Sequence, residues 1–168
     1  PIWTYVANDD VYRVAISSDS QYIVASTVDA SVYFFHRDNN EPLWSYSTEG
    51  LKVFVAISSD GEYIAAGSSD HKVYFFHKES PSPVWIYSTA DQVNSVDISA
   101  DGNYITAGSD DANIYLFHKD NGTPAWSFDT DEYVSSVAIS ANGEYVTAAS
   151  GDCGDMFLFD VDSDRPLS

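Results

Sequence analysis

Apolar and polar positions alternate with a period of two, in short bursts along the whole chain. Trp44 and Tyr46 alternate with Ser45 and Ser47, as in a strand with one face covered and the other in water. Other bursts are apolar on both faces: Tyr104 and Thr106 alternate with Ile105 and Ala107, and Tyr33 and Phe35 with Val32 and Phe34. Strands of that kind belong in a sheet covered on both sides. No stretch places apolar residues at i, i+3, i+4 and i+7, so essentially no helix is expected.

The bursts follow one order, and the chain writes that order four times. The first segment is Trp3–Val6, Trp44–Ser47, Trp85–Ser88 and Trp126–Asp129; the second is Val14–Ser17, Val55–Ser58, Val96–Ser99 and Val137–Ser140. The third is Tyr22–Ser26, Tyr63–Gly67, Tyr104–Gly108 and Tyr145–Ala149; the fourth is Val32–His36, Val73–His77, Ile114–His118 and Met156–Asp160. Asp60-Gly61, Asp101-Gly102 and Asn142-Gly143 are hairpin turns by composition, with Asp19-Ser20 a degenerate copy. The repeats run 1–41, 42–82, 83–123 and 124–165, and Pro166-Leu167-Ser168 restarts the pattern. The four form one domain.

A period of 41 residues between Trp3, Trp44, Trp85 and Trp126, without helical pattern, points to a β-propeller of four-stranded antiparallel blades. Three strands sandwiched between neighbours and one outer, half-exposed strand describe such a blade. A Trp covers about 150–250 Å², so at ~25 cal/mol per Å² each stabilises the fold by up to ~4–6 kcal/mol.

The stretch Val93-Asn94-Ser95-Val96-Asp97-Ile98-Ser99-Ala100-Asp101-Gly102, followed by Ile105–Asp111 and Ile114-Tyr115-Leu116-Phe117, resembles the WD-repeat propeller family. The resemblance spans essentially the whole chain. It implies that Asp29, Asp70, Asp111 and Asp152 hold the place of that family's structural aspartate, between the third and fourth segments. The family's Gly-His pair is absent, and its terminal Trp-Asp is replaced by Phe35-His36, Phe76-His77, Phe117-His118 and Phe159-Asp160. The outer-strand pattern Pro-x-Trp-x-Tyr/Phe is similar to prokaryotic quinoprotein-type propeller repeats. Rings of this type need six to eight blades and only four are present. The expectation is half of an eight-bladed ring, closed by a second copy as a homodimer, or a fragment of a larger propeller.

Charge narrows the partners. Seven basic residues face 26 acidic ones, a net charge of −19, which disfavours nucleic acid and anionic membrane surfaces because neutralising phosphates takes clustered Lys and Arg. The acidity suits solubility, a cationic partner, metal ions or a high-salt habitat. With Cys153 the only cysteine, neither an intrachain disulfide nor a zinc cluster can form. No apolar run approaches the roughly 18 residues of a membrane span. The compartment stays open.

No nucleophile elbow, phosphate-binding glycine loop or metalloprotease motif occurs. His36, His77 and His118 recur at one phase, which in a ring separates them too widely to share a metal; they read as strand-end surface residues. The same argument makes Asp29 and its counterparts acceptors for turn amides and not catalytic carboxylates. Asp160-Val161-Asp162-Ser163-Asp164 alternates carboxylates as a calcium loop does, but lacks the glycine at position six and the distal glutamate, so it reads as a solvated acidic loop. No catalytic, cofactor-binding or metal residue is assigned, and no cofactor is expected.

Information about function sits where the copies disagree, just before the innermost strand. Tyr12 and Arg13, Lys52 and Phe54, Gln92 and Asn94, and Glu132 and Tyr133 mix aromatic and cationic side chains as protein-binding faces do; drift at exposed positions is the competing reading. Asp97 stands where its sisters have Ala15, Ala56 and Ala138, either facing the channel or as a local polar substitution. The sequence thus predicts a non-enzymatic scaffold, or a module of a larger surface or sensory protein, binding itself or another protein. The alternative, a quinone-dependent dehydrogenase, rests on the quinoprotein resemblance alone.

Overall fold

The computed structural model describes residues 1–151 and 154–167. Fifteen strands and no helix account for the regular structure of these residues. The first sheet is a meander of β1 (Val11–Ile16), β2 (Tyr22–Thr27), β3 (Ser31–His36) and β4 (Trp44–Ser47). The second repeats it with β5 (Val53–Ile57), β6 (Tyr63–Ser68), β7 (Lys72–His77) and β8 (Trp85–Ser88). The third uses β9 (Val93–Ile98), β10 (Tyr104–Ser109), β11 (Asn113–His118) and β12 (Asn121–Asp129). The fourth has three strands, β13 (Val134–Ile139), β14 (Tyr145–Ser150) and β15 (Asp155–Asp160).

One expected strand is not formed. Trp3–Val6 has no sheet partner and runs as extended coil across blade one. A strand requires a neighbouring edge to satisfy its ladder, and none of the described strands pairs with this segment. The Pro166 copy begins the same way: Leu167 N donates to Leu158 O at 2.7 Å, as Leu43 N does to Phe34 O.

Blades stack face to face. Behind blade one, Val24, Phe34 and Trp44 bury against Val53, Ile64 and Phe76 of blade two. The next junction joins Phe75 and Ala65 to Val93, Ile105 and Phe117, and the third joins Ile114 and Leu116 to Val134, Val146 and Phe159. Within a blade the aromatics form a stack, Tyr22 on Phe34 on Trp44 and Tyr63 on Phe75 on Trp85, with centroids 5.0–5.4 Å apart. Leu116 replaces the central Phe in blade three, which breaks the stack there. Each Trp also crosses to the following blade: the Nε1 of Trp44, Trp85 and Trp126 donates to the carbonyls of Lys78, Lys119 and Val161 at 2.8–2.9 Å.

The hairpin turns bring blades close at one end. Gly61 and Gly102 take φ of +71°, and a Cβ on Gly102 would lie 2.5 Å from the Tyr63 ring of the preceding blade, so glycine answers both conformation and contact. A backbone relay runs between these turns: Asp19 N to Ser59 O, Ser59 N to Ala100 O, and Ala100 N to Ala141 O.

Candidate functional site

The innermost strands carry the divergent residues at the opposite end of the blades. Tyr12 and Arg13 lie on β1 and Phe54 on β5, and the structure brings these three together. Tyr12 meets Phe54 edge-on at 5.4 Å between centroids, and the Arg13 guanidinium sits 4.3 Å from the Tyr12 ring centre and 5.1 Å from that of Phe54. The cause is local. Tyr12 is a bulge residue, since the β1–β2 pairing skips from Val11 to Arg13, and bulges re-aim side chains. On β5 the pairing is unbroken from Val53 to Ile57, and Phe54 occupies the rim without a bulge. A guanidinium held against two aromatic faces is ordered without being buried, as an interaction anchor requires.

The remaining candidates are placed differently. Lys52 and Gln92 are exposed in the crossovers leading to β5 and β9. Gln92 O accepts the amide of Asp110 at 2.8 Å. Asn94, a bulge residue on β9, donates through Nδ2 to Asp110 Oδ1 at 2.5 Å and to Val134 O at 3.1 Å, so it joins blade three to blade four. Glu132 O accepts Thr130 Oγ1 and Ser150 Oγ, and Tyr133 O accepts the Gly151 amide. Of the eight residues, Tyr12, Arg13 and Phe54 form an aromatic–cation cluster on blades one and two, Lys52 stands outside it with its backbone bonded to Ser69, and the four on blades three and four engage in hydrogen bonds.

Asp97 is a bridge between blades. Its Oδ1 accepts the Ile98 amide and its Oδ2 the Ile139 amide of β13, each at 2.9 Å, while Ser95 Oγ accepts the Val137 amide at 3.1 Å. Burial pushes the carboxyl upward from the usual Asp value, and the two amide bonds pull the other way. The inward edge of β13 has no ladder partner of its own, and β9 side chains satisfy it. The sequence marked Asp97 as distinctive but offered no sign that Ile139 lay beside it.

The aspartate series sits in turns at this same end. Asp111 accepts the amides of Ala90 and Asn113 and the Tyr115 hydroxyl; Asp70 accepts the Glu49 amide and the Tyr74 hydroxyl. Burial and then these carboxylates raise both tyrosine hydroxyls well above their ordinary range. Asp29 is exposed and receives the Thr27 hydroxyl; Asp152 lies outside the described residues. The same turns hold Ala30, His71 and Ala112 at φ of +66° to +71°, and their carbonyls accept the amides of Thr48, Thr89 and Thr130. These three buried threonines, which sequence reasoning passed over, tie each outer strand to its own blade's turn; their recurrence 41 residues apart was the available signal.

At the other end, His36, His77 and His118 stand at strand ends with edge-on contacts to Tyr22, Tyr63 and Tyr104. Their Nδ1 atoms accept the amides of Asp38, Glu79 and Asp120. Asp160 Oδ1 accepts the Asp162 amide within the acidic loop. Among the described residues no group of three His, Cys, Asp or Glu side chains is placed to hold a metal ion, and no helix is long and apolar enough to cross a membrane.

Comparison with known proteins agrees with this geometry. A search among curated proteins returns no relative. Similar solved structures include the RRP9 WD40 repeats, at 16% identity and a TM-score of 0.81 over 96% of this chain, and U3-55K, at 16% identity and a TM-score of 0.82 over 96%. They show the fold, and the chain covers 51% and 52% of those two chains, about half of each. The match is to WD40 repeats, and nothing in it supports a quinone-dependent dehydrogenase. The model of the family described as WD domain, G-beta repeat matches residues 1–36, 41–77, 81–118 and 122–160, so the chain belongs to the WD40 repeat family.

Proposed function

We propose that the protein is a non-enzymatic interaction module that binds a partner protein at the rim formed by Tyr12, Arg13 and Phe54. WD40 domains are typically protein interaction scaffolds, and the Arg13 guanidinium packed against two aromatic rings is the observation that carries the reading. Rigid aromatic and Arg anchors dominate protein interfaces because they cover much area at little entropy cost. With a net charge of −19, the complementary partner is a cationic protein surface.

The test compares proteins retained by the wild-type chain with those retained by Phe54→Ala and Arg13→Ala chains. A partner bound through this rim is lost on either substitution, with affinity weakened at least ~thirtyfold at a hot spot. A partner retained equally by all three chains overturns the assignment. The module also completes its ring through its two uncovered blade faces by self-association.

A further inference from the structure

The internal junctions define what each blade face needs, and two faces of the chain lack it. Val32, Val73 and Ile114, together with Phe34, Phe75 and Leu116, are buried behind blades one to three. Their counterparts behind blade four, Met156 and Leu158, are 80% and 43% exposed. In front, Val96 and Val137 are buried, as are Ile98 and Ile139, while Val14 and Ile16 on blade one are 68% and 60% exposed. One chain thus carries both halves of a blade junction, on opposite ends.

The front face is already dressed for that junction. Trp3 lies on blade one as Trp44 lies on blade two: its ring is 5.6 Å from Phe35 and its Nε1 donates to Arg37 O at 2.5 Å. Tyr5 meets Tyr33 and Phe35 as Tyr46 meets Tyr74 and Phe76. An apolar groove of about 160 Å³, lined by Trp3, Tyr5, Val14, Ile23 and Phe35 among others, remains beside them.

Charge and hydrogen bonding set the register. Lys78 of blade two lies over Tyr22 of blade one at 5.2 Å, and Lys119 of blade three over Tyr63 of blade two at 5.8 Å. The cation at this phase in blade one is Arg37, exposed; the tyrosine at this phase in blade four is Tyr145, also exposed. The turn relay also ends at Ala141, whose amide is in phase to donate to Ser18 O of another blade one.

We propose that two copies join head to tail, blade four of each against blade one of the other, with Arg37 of one copy stacked over Tyr145 of the other. The ligand of these faces is a second copy because a single chain presents both complementary surfaces. Closure with two is favoured because four blades span about half of the solved WD40 chains they match. Head-to-tail interfaces close into rings when the rotation allows. In this junction Trp3 and Tyr5 of one copy pair with Leu158 and Met156 of the other, in the register of Trp44 with Phe34 and Tyr46 with Val32. Pro1 and Ile2 overlap in phase with Pro166 and Leu167, so one of those pairs lifts from the edge. The inference rests on the proposed self-association, not on the rim, which lies at the junction of blades one and two inside a copy.

Sedimentation across a concentration series tests it with the whole chain. The expected result is a particle of twice the 18.5 kDa mass, reduced to monomer by Val14→Asp and by Leu158→Asp alike, with the β-sheet circular dichroism retained. Arg37→Ala, which removes no buried packing, weakens the dimer about two- to thirtyfold, the range of a cation–π contact, and so does Tyr145→Ala within the same limits. A wild-type monomer at every concentration overturns the proposal. So does a dimer indifferent to all four substitutions, or an open ladder of larger masses. Phe54→Ala leaves the mass unchanged, which separates failure here from failure of the rim.

Discussion

Asp97 shows how far one side chain can depart from its repeat. Three blades have Ala at this phase and one has a carboxylate that accepts amides from two blades. Burial raises its pKa, so the folded state binds the proton more readily than the unfolded chain does. The contribution of Asp97 to stability is therefore greatest below the ordinary carboxyl value and is lost as pH rises through the folded value. Asp97→Asn removes this dependence. The difference in urea midpoint between wild type and Asp97→Asn should change across the acidic range and level off near neutrality; a constant difference from about pH 3 to about pH 7, which spans carboxyl titration, contradicts it. Glycine at phase 67 and 108 reflects the same fine tuning: a Cβ at Gly108 would lie 2.5 Å from Val134 Cγ1, whereas Ser26 at this phase donates its hydroxyl to Val53 O.

At the scale of the element, the outer strand matters through what lies on both sides of it. Trp44 is buried, stacks on Phe34, packs on Phe76 and donates to Lys78 O. Trp44→Ala is expected to cost about 3–5 kcal/mol. Trp3→Ala removes a ring that rests on one blade only and is expected to cost less than half as much in a monomer. Denaturant unfolding of the two variants measures this; equal losses would show that the N-terminal segment is as fully packed as β4. The period-two bursts located every strand of three blades to within a few residues, because side-chain alternation is a local property of extended chain. Trp3–Val6 has the same pattern and forms no strand, because pairing depends on an edge that its own sequence does not supply.

For the whole molecule, the 26 acidic residues against seven basic ones make like-charge repulsion a general destabilising field. The melting temperature should therefore rise from about 0.01 M to about 1 M NaCl, as the Debye length falls from roughly 30 Å to 3 Å; a flat or falling curve would show that the local ion pairs, such as Lys72 with Glu49 at 2.9 Å, outweigh the net repulsion.

Repetition made the blade, its turns and its family legible from the sequence alone, since every copy restates the same alternation and tryptophan, and three of the four restate the glycine turn. The places where the copies disagree were legible too. What they touch was not. The meeting of Tyr12, Arg13 and Phe54, the reach of Asp97 to Ile139 and the uncovered faces around Val14 and Met156 join residues about 40 or more positions apart, or a surface to solvent. Such relations depend on how one blade stacks on the next, and stacking is set by packing across the junction, which no single repeat encodes.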